Sequence, residues 1–594
     1  MSPVEKSTQP RTRGRETETH RADLNRSTAY LWFLFLAVCY GFIAYKNLHG
    51  SPIGHDELIY LVKSWWIFSN QLDWYSDALP LSYLPGSYIF PGLSQYILGQ
   101  GLLEARFIGY VSGFLTLYLV FLYASRIATP AIGLLSSALL ITVPEVLNWG
   151  TVSVYGVSSL LIIASLVACS DKFISNIHIR VIATGLLFSL LLFTRLNHAI
   201  TVALLLPILY LSQRENGARV VFYVVIATIL TSLLLLLLLP RDFLFQISSL
   251  GVVPFFLDLF SLTPPDHSMS NEFIESSEAL ASSTSAVPLV TSTAFLTPPD
   301  SAMGAVVYSL SSDLYFGFLS IIHNSRLLAS ALGVILIGTL LNLLPIVNNS
   351  GTEGLEKSFA IGFVVFVFLS FLKGHHLCSS CPVLYSHYFI VPGTIGAAFG
   401  YHKLIYRNQR RALVSVIFVL ITCLYALGWH VRTYEDEFST DHRAELAALG
   451  KSIDKLVPKG ATILPVGSLG GLRPIRMALF LTDHIFEPQL LNPAFTFLPI
   501  SLETVMTEAD KNYFEGKNYW TPHHLLDWIQ SDYDYIVKPT SLYYDDHKYR
   551  YWFRRLFYPA KARELIEEHF TCSRIPGKYQ TIHPIDLCKR NAAS

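Results

Sequence analysis

The chain has 594 residues, of which 52% are hydrophobic and only 14% charged, and its 43 basic side chains balance 43 acidic ones. Soluble domains carry about 25% charged residues, so an ordinary soluble globule is excluded, and zero net charge gives no reason to invoke a polyanion such as nucleic acid as partner. Several apolar runs reach the ~20 residues that carry a helix across a bilayer, which makes this a polytopic membrane protein, mainly α-helical.

Residues 1–29 are polar and contain Arg11, Arg13, Arg15, Arg21 and Arg26; they read as a disordered cytoplasmic tail. The apolar run from Tyr30 to Tyr45 has no small-residue cleavage site after it, so it is expected to be a retained span and not a secretory signal. With 30–47 as the first, spans are predicted near 107–124, 131–147, 153–170, 181–194, 198–212, 219–240, 326–346, 359–373, 388–402 and 412–430, about eleven in all. The pair 181–194 and 198–212 is short and suits a re-entrant or oblique hairpin. Lys and Arg collect in short cytoplasmic loops. Here Arg126, then Lys172 with Arg180, then Arg214 with Arg219, and the stretch from His402 to Arg411 fall in alternate connections. That alternation puts the N-terminus inside and the segments 48–106, 241–325, 374–387 and 431–594 outside. The membrane module is thus expected over 30–430.

The outer segment 241–325 is rich in Ser, Thr and Pro in its middle, and "LTPPD" occurs at Leu262–Asp266 and again at Leu296–Asp300. It reads as a long loop over the outer face, a common place for a substrate lid. Residues 431–594 change character: helical spacing in "AELAALGKSIDKLVP" and "GLRPIRMALFLTDH" alternates with short apolar strands in "KGATILPVG" and "YDYIVKP", and "YWFRRLFYPAKARELIEEHF" reads as a final helix. The pattern predicts a small extracytoplasmic α/β domain. "GSLGG" (Gly467 to Gly471) lacks the spacing of a phosphate-binding loop and reads as a turn.

Cys39, Cys169 and Cys423 lie in or beside spans, where a thiol behaves as a small apolar group. Cys378 with Cys381 and Cys572 with Cys588 lie outside and are disulfide candidates in an oxidising compartment. "HHLCSSC" could instead bind a metal, but it lacks a second ligand pair at zinc-like spacing, so a divalent metal stays open without being indicated and no cofactor is certain. The Asn-x-Ser/Thr sequons at Asn25 and Asn348 fall on the cytoplasmic side. Their absence from the outer segments favours a bacterial inner membrane over the endoplasmic reticulum.

Four polar sets meet the outer face. "GHDELIYLVKSWW" (Gly54 to Trp66) places Asp56 and Glu57 beside His55 at the start of an apolar run; they either cap a helix, where acids meet unpaired N–H groups, or carry chemistry. The Tyr-, Trp- and Pro-rich segment that follows suits short interfacial helices and ends in Glu104 and Arg106. Arg106 lies on the side disfavoured by the positive-inside bias, so a partner anion is expected for it. Arg195 interrupts "LLLFTRLNHAITVALL" at the tip of the short hairpin, where a charge needs water, a partner or a ligand; neighbouring His198 reads as a packed histidine. Finally, His387 and Tyr388 open a span near Lys373, as an aromatic belt or as part of a site.

One acidic site and several cations on a single membrane face are the minimum for moving a sugar from a lipid phosphate carrier. Phosphate is a good leaving group whose developing charge Arg or Lys stabilises. One carboxylate acting as base on an acceptor hydroxyl then suffices, where glycosidases use two. The arrangement resembles the C-type glycosyltransferases (GT-C fold), above all the branch containing protein O-mannosyltransferases and lipid A aminoarabinose transferases. The resemblance rests on Asp56-Glu57 followed by Tyr60, on "YLPGSYIFPGLSQYILGQGLLEAR" leading into the second span, on Arg195, and on Tyr388 with Pro392. It covers mainly 30–215 and 375–430. It implies an inverting transfer from a polyprenyl-phosphate sugar to a lipid, glycan or protein acceptor, with Asp56 as general base and Glu57 as supporting acid. Arg106, Arg195 and Tyr388 would contact the donor phosphate, with His387 and Lys373 nearby. Many relatives carry a further acid after the third span; "VPEVLNWGTVSVYGVSS" offers only Glu145. The rival readings are a transporter or flippase of lipid-linked glycans, for which inverted repeats and broken helices would be expected, and a non-catalytic scaffold or receptor.

Overall fold

The computed structural model describes residues 25–51, 55–70, 86–143, 146, 153–195, 198–213, 217–237, 326–343, 353–377, 389–405, isolated positions within 417–428, 442–467, 469–482, 522–531, 533–540, 559–577, 582 and 584–592. Its first part is helical throughout: α1 (Arg26–Gly50), α2 (His55–Phe68), α3 (Gly86–Leu98), α4 (Leu102–Ile127), α5 (Pro130–Ile141), α6 (Ser153–Cys169), α7 (Ile177–Thr194), α8 (His198–Ser212), α9 (Gly217–Leu237), α10 (Arg326–Leu343), α11 (Glu353–Leu377) and α12 (Ile390–Ile405). The outer segment 241–325 and nearly all of the span expected over 412–430 lie outside the described residues.

The chain divides into two compact units, the larger made of 1–231, 327–366 and 387–594, the smaller of 232–326 and 367–386. The described part of the smaller unit is helical, comprising Arg326 and the C-terminal ends of α9 and α11.

Among the described helices, α1, α4, α7 and residues 217–235 of α9 are long and apolar enough to cross a membrane, and α5, α8 and most of α6 and α10 are shorter apolar helices. On α1 the residues Leu31, Leu34, Val38, Phe42 and Tyr45 are exposed, while Leu36, Tyr40, Ile43 and Ala44 are buried. An outward stripe of large apolar residues at helical spacing is what a lipid-facing surface requires. The helices start where side chains satisfy their first N–H groups: Asn25 accepts from Ser27, Thr129 from Ile132 with Pro130 beside it, and Asn176 from His178 and Ile179.

Small and polar residues join the helices. Ser189 donates to the carbonyls of Gly185 and Thr228, both at 2.9 Å, tying α7 to α9. Beside it a Cβ on Gly185 would stand 2.6 Å from that of Ala227, the close approach that small residues permit between membrane helices. Lys172 donates to the terminal carbonyls of Arg126 and Ile127 at 2.8 and 3.0 Å, closing the C-terminus of α4.

The C-terminal part contains α13 (His442–Leu456), β1 (Ile463–Pro465), α14 (Leu469–Leu481), α15 (Pro522–Ser531), β2 (Tyr535–Pro539), α16 (Pro559–His569), β3 (Phe570–Arg574) and β4 (Ile585–Arg590). The strands form one sheet in the order β1-β2-β4-β3. β1 and β2 run parallel, and the other two pairs antiparallel. Cys572 and Cys588, directly opposite each other on β3 and β4, form a disulfide. The last two glycines of "GSLGG" lie inside the first turn of α14 instead of in a turn. The final predicted helix ends at His569, and the chain passes at once into the hairpin of β3 and β4, which the sequence reading did not foresee.

The core of this part extends beyond it. Leu58, Leu61, Val62 and Trp66 of α2, with Leu102 and Ala105 of α4, form one buried cluster with Leu446 and Leu449 of α13, Ile475 and Ala478 of α14, and Tyr535 and Val537 of β2. Gln100 adds a 2.7 Å hydrogen bond to the carbonyl of Phe480. Burial of a Leu, Val or Phe side chain stabilises by about 1.5–3 kcal/mol, so this shared core fixes α2 firmly against the sheet domain.

Candidate active site

Helix α2 begins at His55, which puts Asp56 and Glu57 in its first turn, where backbone N–H groups lack helical partners. One side of the helix is the apolar set just described. At 3.6 residues per turn, Asp56, Glu57, Tyr60, Lys63 and Ser64 fall on the other side. The backbone of Asp56 is described, its side chain is not.

Glu57 is 4% exposed and Arg106, on α4, 1%. The guanidinium grips the carboxylate with both arms, Nε to Oε1 at 2.5 Å and Nη2 to Oε2 at 3.0 Å. It also donates through Nη1 to the carbonyl of Leu48 at 2.8 Å and through Nη2 to that of Ser51 at 3.0 Å. Those carbonyls close the C-terminus of α1, where the helix dipole is negative. A planar, always charged fork is the side chain suited to this task. The anion expected for Arg106 is thus Glu57, and together they join the ends of α1, α2 and α4.

Arg195 caps the C-terminus of α7, its N–H returning to the carbonyl of Leu191. Its side chain is 6% exposed. Nη2 donates to the Tyr60 hydroxyl. The guanidinium lies 5.0 Å from the ring centroid of Tyr155 and 5.6 Å from that of Tyr60, so aromatic faces support the charge. The start of α3 docks onto the same helix end. Ser87 donates to the carbonyl of Thr194 at 2.5 Å, and a Cβ on Gly86 would sit 2.7 Å from the carbonyl oxygen of Phe193. Glycine is needed at this approach. Tyr88 brings its ring to 5.9 Å from that of Tyr60. Behind it, buried His198 has Nε2 3.0 Å from the Ser158 hydroxyl.

The structure therefore brings Glu57, Arg106, Tyr60 and Arg195 together around α2. Glu145, His387, Tyr388, Cys378 and Cys381 lie outside the described residues, and Lys373 falls on α11 in the smaller unit with its side chain undescribed. Among the described residues no group of three or more His, Cys, Asp and Glu is placed to hold a metal ion. Sequence reading did not single out Ser87, Tyr155 or Lys63. The first two act through contacts distant in sequence, but Lys63 carried a signal, since it stands two helical turns after Asp56.

These features define a membrane protein with a buried acid–guanidinium centre at the junction of α1, α2 and α4. No protein-family model matches the sequence, and no curated protein matches it. Among solved structures the chain is similar to ArnT from Cupriavidus metallidurans bound to undecaprenyl phosphate, with 12% identity and a TM-score of 0.41 over 95% of this chain and 98% of that one. It is similar also to the Archaeoglobus fulgidus oligosaccharyltransferase in complex with Zn and sulfate, with 13% identity and a TM-score of 0.44 over 85% of this chain and 68% of that one. A third is the arabinofuranosyltransferase AftD from Mycobacteria, with 13% identity and a TM-score of 0.40, covering 96% of this chain and 40% of that one.

Proposed function

We propose that the chain is a membrane glycosyltransferase of the GT-C type, which transfers a sugar from a polyprenyl-phosphate donor to an acceptor hydroxyl on the extracytoplasmic face. The observation that carries this reading is the arrangement on α2. Asp56 stands beside a carboxylate fixed bidentately by Arg106, and one turn further on Tyr60 accepts from the buried cation Arg195.

In this reading Asp56, as carboxylate, takes the proton of the acceptor hydroxyl while the acceptor oxygen attacks the anomeric carbon. The bond from that carbon to the phosphate oxygen breaks on the opposite face. Its electron pair leaves with the lipid phosphate, and the configuration inverts. Arg195 meets the charge that develops on the departing phosphate; a cation in a site shielded from water stabilises such charge strongly. Arg106 takes a different role from the phosphate contact that the sequence suggested. With its donors on Glu57, Leu48 and Ser51, it positions the turn that presents Asp56. The Cys572–Cys588 disulfide supports an extracytoplasmic place for the sheet domain, because such bonds persist in oxidising compartments.

The test is Asp56→Asn, assayed for transfer from a polyprenyl-phosphate sugar with membrane insertion checked in parallel. Loss of a general base lowers the rate by about 10²–10⁴. An inserted variant with unchanged transfer overturns the assignment.

A further inference from the structure

Lys63 lies in the middle of α2 and is 1% exposed. Among the described residues its ammonium has no hydrogen bond and no ion pair. Among the described residues, two other buried cations of the membrane module are matched by carboxylates: Arg106 by Glu57, and Lys403 by Glu356 at 2.9 Å. Burial alone pushes the Lys63 amine well below its usual value. A buried charge without a partner is costly, and such groups persist where a ligand supplies the opposite charge.

The neighbours on α2 say which ligand chemistry would meet it. Leu58, Leu61, Val62 and Trp66 face the shared core, and Ser64 is bonded to Gln95 of α3 at 3.1 Å. Lys63 stands off that apolar side, in line with Asp56 two turns before it. Tyr60 precedes Lys63 by one helical turn on the same side of α2. There Arg195 is already placed by the Tyr60 hydroxyl.

We infer that Lys63 is a second cation for the phosphate of the lipid-linked donor, acting with Arg195, which is bonded to Tyr60 one helical turn away on α2. The inference rests on the donor reading above. An anion between them would share its oxygens between an ammonium and a guanidinium, and Lys63 would exchange an unfavourable buried charge for a charge-assisted hydrogen bond.

The experiment compares wild type and Lys63→Met as full chains in detergent or nanodiscs. The three probes are a long-chain polyprenyl phosphate, the uncharged polyprenol of equal length, and inorganic phosphate. Two quantities are read, the dissociation constant and the ligand-free melting temperature. The expected result is that wild type prefers polyprenyl phosphate over both other probes, and that Lys63→Met weakens this binding about tenfold or more with polyprenol binding unchanged. The ligand-free variant should melt at a higher temperature, since methionine fills the space without a buried charge. A variant that keeps the wild-type preference overturns the role of Lys63 and leaves the donor reading standing. A variant that melts lower marks Lys63 as a structural residue and also overturns it. If wild type does not distinguish polyprenyl phosphate from polyprenol, or binds inorganic phosphate equally well, the lipid-donor reading falls and this inference with it.

Discussion

Removing Arg106 would leave the Glu57 carboxylate in a site from which water is excluded, with the carbonyls of Leu48 and Ser51 losing their donor as well. Breaking one side of a buried ion pair costs about 3–5 kcal/mol, whereas replacing both partners by well-packed apolar groups is often neutral. Arg106→Ala should therefore unfold well below wild type in thermal or denaturant melts, and Glu57→Leu/Arg106→Met should be milder than either single change. Additive losses in the double variant would show that the two do not act as a pair. Lys63 has an opposite signature. Its amine is lowered by burial relative to about 10.4 in an unfolded chain. Between the folded and unfolded values the unfolded state binds more protons, so stability rises with pH by up to about 1.4 kcal/mol per unit. Ligand-free melting temperature followed up to pH 10 should climb in wild type, and the climb should flatten in Lys63→Met. At this scale the sequence revealed the acids, because an Asp-Glu pair beside an apolar run stands out in a chain so poor in charge. It also showed that Arg106 needed an anion. Which anion was not legible: the partner is 49 residues away, and two of the other acceptors are backbone carbonyls at a helix end.

Between elements, the decisive contact is the docking of α3 onto the end of α7. A Cβ at Gly86 meets backbone atoms of Phe193 and Thr194, which cannot swing aside as a flexible side chain would. Gly86→Ala is expected to separate these helix ends and displace Arg195, lowering transfer more than it lowers the melting temperature; unchanged transfer would count against this docking as the support of Arg195. In the sheet domain, the disulfide closes a loop with a sequence separation of 16, and cross-linking a loop of that size stabilises by about 3 kcal/mol. Replacing Cys572 and Cys588 by serine should lower the melting temperature, an effect reproduced in wild type by reductant. Helices were the most legible elements. Leu446, Leu449 and Ile453 repeat at helical spacing in α13, and apolar length marked the spans. The hairpin of β3 and β4 was hidden because four of the five residues of "FTCSR" are exposed. Its pairing is set by β4 and a cysteine, not by a hydrophobic alternation.

At the scale of the molecule, the membrane module and the sheet domain meet in a common core around α2. A chain ending at 430 would expose Leu58, Leu61, Val62 and Trp66 to water. Such a truncation is expected to insert in the membrane yet lose transfer, with proteolysis appearing between 51 and 100; full activity would show that α2 holds its place unaided. Orientation has its own test. An enzyme reporter fused after Ser594 should be active outside the cytoplasm, and cytoplasmic activity would reverse the proposed topology. That α2 and the sheet share an interior was not legible in the sequence, because nothing local in "LIYLVKSWW" tells a lipid-facing side from a protein-facing one. That shared interior also has a genetic consequence. A screen for inactive alleles should return substitutions at Ile475, Ala478 and Val537 alongside those at Asp56. Suppressors of the former should arise on the back of α2, whereas changes at Asp56 should find none there.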